Sequence, residues 1–330
     1  MARLVRAPTG RVVGRSGANP AYCNEERDIM TAIPFTRSGP EDGGNFEHHW
    51  AGGYLEAHLL SDVGKKRAGN EDACALCAPE DPELARRRGH LFAVADGMGG
   101  VSGGGLASRI ALQTLLDDYY TNGGRAAPES LRKAVEHANR TIFEEAEHQP
   151  QYSGMGTTVS AVLVLGDHAY IAQVGDSRVY LLRDGTALCQ LTHDHSLVAE
   201  QVRGGFLSEE EARTHSLRNL ITRAVGTKED VKVDLFWVKI ARGDTLMICS
   251  DGLSGVVKDD EIGKSLAVEN IQGAARVLVG RALKGGGPDN ITVAVVRVVG
   301  TPPPSALEEG AEEARLTRPG FFQRIRRLFS

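Results

Sequence analysis

Between about residues 55 and 300 the spacing of apolar positions changes repeatedly, and each change marks an element. The short apolar runs "AHLLSD", "DACALC" and "LFAVAD" predict strands. "SRIALQTLLDDYY" and "ESLRKAVEHANRTIFEEAEH" have helical spacing instead; Leu131, Ala134, Val135 and Ala138 share one face. Strands return in "TTVSAVLVLG", "HAYIAQVG" and "SRVYLLRDG", with turn signals at the glycines between them. A late group follows: strands "VKVDLFWVKI" and "DTLMICSD", helix "NIQGAARVLVGRAL" and strand "NITVAVVRV". Strand runs followed by helix runs argue for an antiparallel α+β protein, not a parallel βαβ fold. A four-layer αββα sandwich, two antiparallel sheets flanked by helix pairs, accommodates them.

The flanks lack such patterning. Residues 1–54 are rich in Gly, Pro, Arg and Ser without a period, and are expected to form a disordered extension. "TPPPSALEEG" reads as a linker, because consecutive prolines exclude helix and sheet. Residues 301–330 are therefore expected to be a Pro-rich linker followed by a short basic amphipathic helix. In "FFQRIRRLF" the apolar positions 321, 322, 325, 328 and 329 fall on one face, with Arg324, Arg326 and Arg327 mainly on the other. That helix either docks on a membrane surface or partner, or folds back on the domain.

Composition narrows the class. The 330 residues are 41% hydrophobic, enough for one large core or two modest ones. A net charge of −5 gives no reason to expect a nucleic-acid partner. Cys74 and Cys77 form a lone CxxC without a second pair, so they read as packed strand residues. No apolar run would span a bilayer, and the basic N-terminus lacks an apolar signal core, so the expected setting is the cytoplasm.

The candidate chemistry lies in carboxylates at strand ends. "LFAVADGMGG" ends an apolar run at Asp96, "IAQVGDSR" ends one at Asp176, and "TLMICSDGL" ends one at Asp251. Asp289 precedes another, and Glu71 and Asp72 precede a third. Asp-Gly after a strand is ordinary turn chemistry, and Asp167 and Asp184 read as that alone. Several carboxylates converging near a core repel one another unless a cation lies between them. Oxygen ligands without His or Cys select Mg²⁺, Mn²⁺ or Ca²⁺. The glycines beside Asp96 are expected to clear space for ion, water and substrate, with the Gly97 carbonyl able to ligate. Paired ions suit hydrolysis at phosphorus, and Arg67 is the candidate guanidinium for the phosphate.

"SDVGKKRAGNEDA", "VADGMGG", "GMGTT", "VGDSRVYLLRDG", "LTHDHSLV", "ITRAVGT", "MICSDGL" and "GGPDNITV" occur in this order. Together they resemble the metal-dependent protein phosphatases of type 2C, in their bacterial serine/threonine branch, over roughly residues 55–300. The resemblance implies a catalytic domain over that span, with a mobile flap at about 196–222. It implies two Mn²⁺ or Mg²⁺ ions held by Asp72, Asp96, the Gly97 carbonyl, Asp251 and Asp289, with Glu71 and Asn290 just behind. Asp176 with Asp251 would hold a third ion, and Arg67 would clamp substrate phosphate. The implied reaction is hydrolysis of phosphoserine and phosphothreonine by in-line attack of a water or hydroxide bridging the two ions. Phosphorylated proteins and a Ser/Thr kinase are the implied partners of a monomeric enzyme.

Many relatives carry a histidine in the loop after the metal aspartate; Met98 or Val101 stands there instead. His193, His195 or a water would then protonate the leaving group, unless both histidines only cap and pack. The run "VSGGGLAS" is expected to loosen this loop. A silent phosphoprotein-binding module would lack one or more of the acids, and here all are present.

Overall fold

Strands buried on both faces make the centre of this protein, and the covering layers follow from what those faces need. The computed structural model describes residues 35–99, 103–122, 126–268, 270–306 and 308–314. One sheet runs, in spatial order, β1 (Phe35–Gly39), β4 (Ala73–Ala78), β5 (His90–Ala95), β8 (Val159–Leu165), β9 (His168–Val174), β12 (Asp234–Lys239) and β15 (Glu312–Glu313). The other runs β11 (Ala187–Gln190), β10 (Arg178–Arg183), β13 (Thr245–Cys249), β14 (Ile291–Val298), β3 (Leu55–Asp62) and β2 (Phe46–Gly52). Pairing is antiparallel except between β12 and β15. A two-stranded ribbon joins β6 (Gly97–Met98) to β7 (Gly156–Thr157).

Alternation along β5 shows how the layers are made. Leu91, Ala93 and Ala95 face a core shared with helices α2 (Gly103–Thr121) and α3 (Ala127–His148). Phe92 and Val94 face the opposite way, against Leu59 and Ile248 between the sheets. On the far side Met247, Val293 and Val295 pack with Ile262 and Leu278, from α7 (Asp259–Leu266) and α8 (Ile271–Lys284). The result is the expected αββα sandwich. The same alternation separates Cys74 from Cys77: three residues apart on β4, they lie in different cores and share no site.

The edges differ from expectation. Residues 35–52, assigned above to an extension, supply a strand to each sheet: β1 pairs with β4, and β2 with β3. Trp50 tilts against His90 and Phe92, with ring centroids 5.5 and 6.2 Å away. The strand "FEHHWAG" was hidden because its polar residues alternate on an edge while Gly and Pro flank it. The expected linker is likewise fastened at its described part. The Ser305 N–H and hydroxyl donate to Asp167 Oδ1, at 2.9 and 3.0 Å, and Ala314 N–H donates to Trp237 O at 2.8 Å. Glu308 accepts from the Ala127 N–H at the start of α3, which has no side-chain cap of its own. Residues 1–34 and the predicted 321–329 helix lie outside the described residues.

The 196–222 segment contains α4 (Leu197–Arg203) and α5 (Glu209–Thr214), each started by a serine cap. Its base is closed by Leu197 N–H to Leu220 O and Thr222 N–H to His195 O, at 2.9 and 2.8 Å. No helix among the described residues is long and apolar enough to cross a membrane.

A chain beginning at residue 55 leaves β3 and β4 as bare edges. Its melting temperature, followed by circular dichroism, is expected to fall by about 10 °C, since roughly 1 kcal/mol moves a domain this size by about 2–4 °C. An unchanged melt would show that the added strands contribute nothing.

Candidate metal centre

Strand register brings the predicted acids to one end of the sandwich. Ala73 pairs with Ala95, so Asp72 and Asp96 adjoin the same rung of the first sheet. Cys249 pairs with both Arg178 and Val293, and Ile291 with Asp62. Asp251 follows the end of β13, Asp176 precedes β10, and Asp289 precedes β14. Arg67 and Glu71 lie in the β3–β4 loop at the same end.

The supports are small hydroxyls and amides. Asp96 N–H donates to Thr158 Oγ1, and its carbonyl accepts from the Thr158 N–H and the Thr157 hydroxyl, each at 2.9 Å. Asp72 Oδ2 accepts from the Ser250 hydroxyl at 2.8 Å, and Ser250 Oγ accepts from Thr292 N–H at 3.0 Å. Asn290 fastens the β3–β4 loop: its Oδ1 accepts from Glu71 N–H at 2.8 Å, and its amide donates to the Val63 and Gly69 carbonyls. Arg67 donates to Asp289 Oδ2 at 2.7 Å and reaches within 3.8 Å of Glu71. Thr157, Thr158, Ser250 and Thr292 were not singled out as site residues; a hydroxyl interrupting an apolar strand end was their only signal.

The glycine expectation needs correction. A Cβ on Gly97 would stand 2.2 Å from the Gly104 carbonyl oxygen and 2.5 Å from that of Glu71. The side-chain position of Gly97 is therefore filled by neighbouring backbone and opens no space there, which leaves its carbonyl untouched by this argument. Of the run "VSGGGLAS", Gly103, Gly104 and Gly105 form the buried first turn of α2, with Gly104 packed on β6, while Val101 and Ser102 lie outside the described residues.

Neither histidine faces the acids as a proton donor. His195 Nδ1 accepts from Gly175 N–H at 3.0 Å, and its Nε2 lies 3.1 Å from Asp234 Oδ2, so both ring nitrogens are committed. His193 packs edge-on against Phe236 at 5.9 Å and lines a cleft of about 500 Å³ with Lys232 and Glu312, apart from the carboxylates.

The electrostatics state the problem the site must solve. Burial, then Asp72, Asp251, Asp176 and Asp289, push Asp96 well above the ordinary carboxylate range. Burial and the Asp251 charge do the same to Asp176. Asp72 is raised to about 7 by burial, despite hydrogen bonds from Thr292 and Ser250. Asp251 is raised to about 6 by burial and Asp289, partly offset by a hydrogen bond with Asp96. Among the described residues no three acids, histidines or cysteines surround one point ready to hold an ion. The donor set nevertheless fits a hard divalent cation. It is all oxygen, and Asp176 Oδ1 is buried without a hydrogen-bond partner.

These shifts fix a sign. Asp251 keeps its proton in the folded state up to about pH 6, whereas the ordinary value is 3.8. Between those values the native state binds the extra proton, so stability of the metal-stripped chain falls as pH rises through the window. Asp251→Asn is expected to melt several degrees above wild type at pH 8 in EDTA, with the gap closing toward pH 4. Added Mn²⁺ should raise the wild-type melt at pH 8 and leave the variant nearly unmoved. A pH-independent gap would refute the assignment.

The comparisons agree with this geometry. The family described as Protein phosphatase 2C matches residues 65–277. Serine/threonine protein phosphatase PstP of Mycobacterium tuberculosis is 40% identical over 241 residues, 72% of this chain and 44% of PstP. The chain thus spans less than half the length of that relative. Serine/threonine phosphatase stp of Listeria welshimeri is 38% identical over 247 residues, 73% of this chain and 95% of the relative. Among solved structures, the PstP catalytic domain in complex with two manganese ions superposes with a TM-score of 0.65 at 37% identity, covering 74% of this chain and 99% of that one. With a family match across most of the chain, and acids gathered at the end of an αββα sandwich, this chain belongs to the protein phosphatase 2C family.

Proposed function

We propose that the chain is a protein serine/threonine phosphatase that hydrolyses phosphoserine and phosphothreonine with two divalent ions, Mn²⁺ or Mg²⁺. The observation that carries this is the gathering of Asp72, Asp96, Asp176, Asp251 and Asp289 at one end of the sandwich, four of them mutually repelling around Asp96. Asp72, Asp96, Asp251, Asp289 and the Gly97 carbonyl would hold the pair, and Asp176 with Asp251 a third ion. When bound, such ions acidify water and neutralise charge on phosphoryl oxygens.

The chain's own residues do the rest. Arg67 stands half-exposed at the mouth, anchored through one nitrogen to Asp289. Its remaining N–H groups suit two oxygens of a phosphate. In-line attack by water breaks the bond from phosphorus to the serine or threonine oxygen and leaves no side chain modified. Cys249 does not compete as a nucleophile: it is buried in β13, and burial pushes its thiol up to about 12. With His195 and His193 otherwise engaged, the leaving oxygen takes its proton from solvent.

We read the partners as phosphorylated proteins and the Ser/Thr kinase that makes them, the setting as cytoplasmic, and the working form as a monomer. The basic 321–329 segment is read as either a docking element for a membrane surface or partner, or a short helix that folds back on the domain.

Phosphopeptide hydrolysis in Mn²⁺ tests this reading. EDTA should abolish turnover. Asp96→Ala should lose more than the roughly 10–100-fold typical of residues that only support a metal ligand. Arg67→Ala should lower kcat/KM about 10–100-fold, from about 1.5–3 kcal/mol of charge-assisted bonding, mostly through KM. Activity that survives chelation would exclude the mechanism.

A further inference from the structure

The loop carrying Asp176 is fixed on several sides, while one oxygen of its carboxylate is left without a partner. Gly175 has φ +104°, and a Cβ there would stand 2.5 Å from Thr158 Cγ2, so only glycine fits. Its carbonyl accepts from His195 N–H and Gln173 Nε2, both at 3.0 Å. Its N–H donates to His195 Nδ1, also at 3.0 Å. That bond requires an unprotonated Nδ1, so the ring proton is on Nε2 and points to Asp234 Oδ2. Asp234, the first residue of β12, is itself gripped by Arg223 at 2.7 Å.

His195 is buried, at 3% exposure, and so grips Gly175 from both sides with ring and main chain. Thr158, against which Gly175 packs, is the residue bonded to the Asp96 main chain, and its hydroxyl also meets Ser177 at 2.7 Å. The peptide before Asp176 is thereby locked to the frame that carries Asp96. Only Asp176 Oδ1, buried and without a hydrogen bond, is left over.

We propose that His195, oriented by Asp234, is a positioning residue for Asp176, and so sets the affinity of the Asp176–Asp251 site for a third divalent ion without touching ion or substrate. Metal-ligating side chains usually depend on such outer partners, whose loss weakens binding about 10–100-fold. The inference rests on the proposed binding of divalent ions by these aspartates.

The test is a Mn²⁺ titration of the full chain by isothermal calorimetry, with free Mn²⁺ followed by electron paramagnetic resonance and a thermal melt for each protein. Asparagine places an acceptor oxygen where Nδ1 stands but does not reach Asp234. His195→Leu removes both bonds. We expect His195→Leu to weaken the weakest Mn²⁺ event at least 10-fold while the two tighter events stay within about 3-fold. His195→Asn should recover most of the loss, and Asp234→Ala should weaken the same event less than His195→Leu does.

Three equal weakenings accompanied by a lowered melt would mark His195 as a general structural residue and overturn the proposal. So would a His195→Leu titration identical to wild type. If His195→Leu fails to fold, Asp234→Ala decides it: a weakest event left unmoved by that variant overturns it. A wild-type chain that binds no Mn²⁺ at all would instead sink the underlying reading.

Discussion

Like charges taken out of water repel strongly, and this fold gathers five of them at one end of two sheets. At an effective dielectric near 20, two carboxylates about 4 Å apart repel by roughly 4 kcal/mol. The chain answers this only in part: Ser250 and Thr292 bond to Asp72, Arg67 grips Asp289, and Asp96 shares a hydrogen bond with Asp251. What remains is Asp72, Asp96, Asp176 and Asp251 pushed toward their neutral forms by burial, in a place where a divalent cation would serve better than protons. Under the proposed function, the repulsion that the fold leaves uncompensated is what a bound cation would relieve.

Precise placement comes from groups without charge. Thr157 and Thr158 bind the main chain of Asp96, Asn290 ties the Arg67 loop to β14, and glycines at 97 and 104 let α2 start against β6. These contacts are between backbone and short side chains, which have little rotamer freedom to lose. The long side chain of the site, Arg67, is half-exposed and held through Asp289.

The central strands and paired helices were legible because each buries a continuous face, and periodicity reports burial directly. β1 and β2 were not, since these short edge strands leave no continuous apolar signature; β1 is held by pairing with the distant β4, and β2 by a tight hairpin with β3. The strap from Ser305 to Ala314 was obscured for the same reason: prolines argue against regular structure, not against being fastened by Asp167 and Trp237. In the site, the acids stood out because each ends an apolar run. Their hydroxyl supports were invisible, as Ser and Thr carry no pattern until tertiary structure supplies partners. His195 was read as a possible acid; only its contacts to Gly175 and Asp234 show both nitrogens engaged.

Anomalous diffraction from crystals of this chain grown with Mn²⁺ bears most directly on the metal centre. Two peaks about 3.5–4 Å apart, with Asp96 oxygens between them and Asp72, Asp251 and Asp289 around them, are the predicted result. Manganese bound elsewhere, or absent from this end of the sandwich at millimolar concentration, would contradict it.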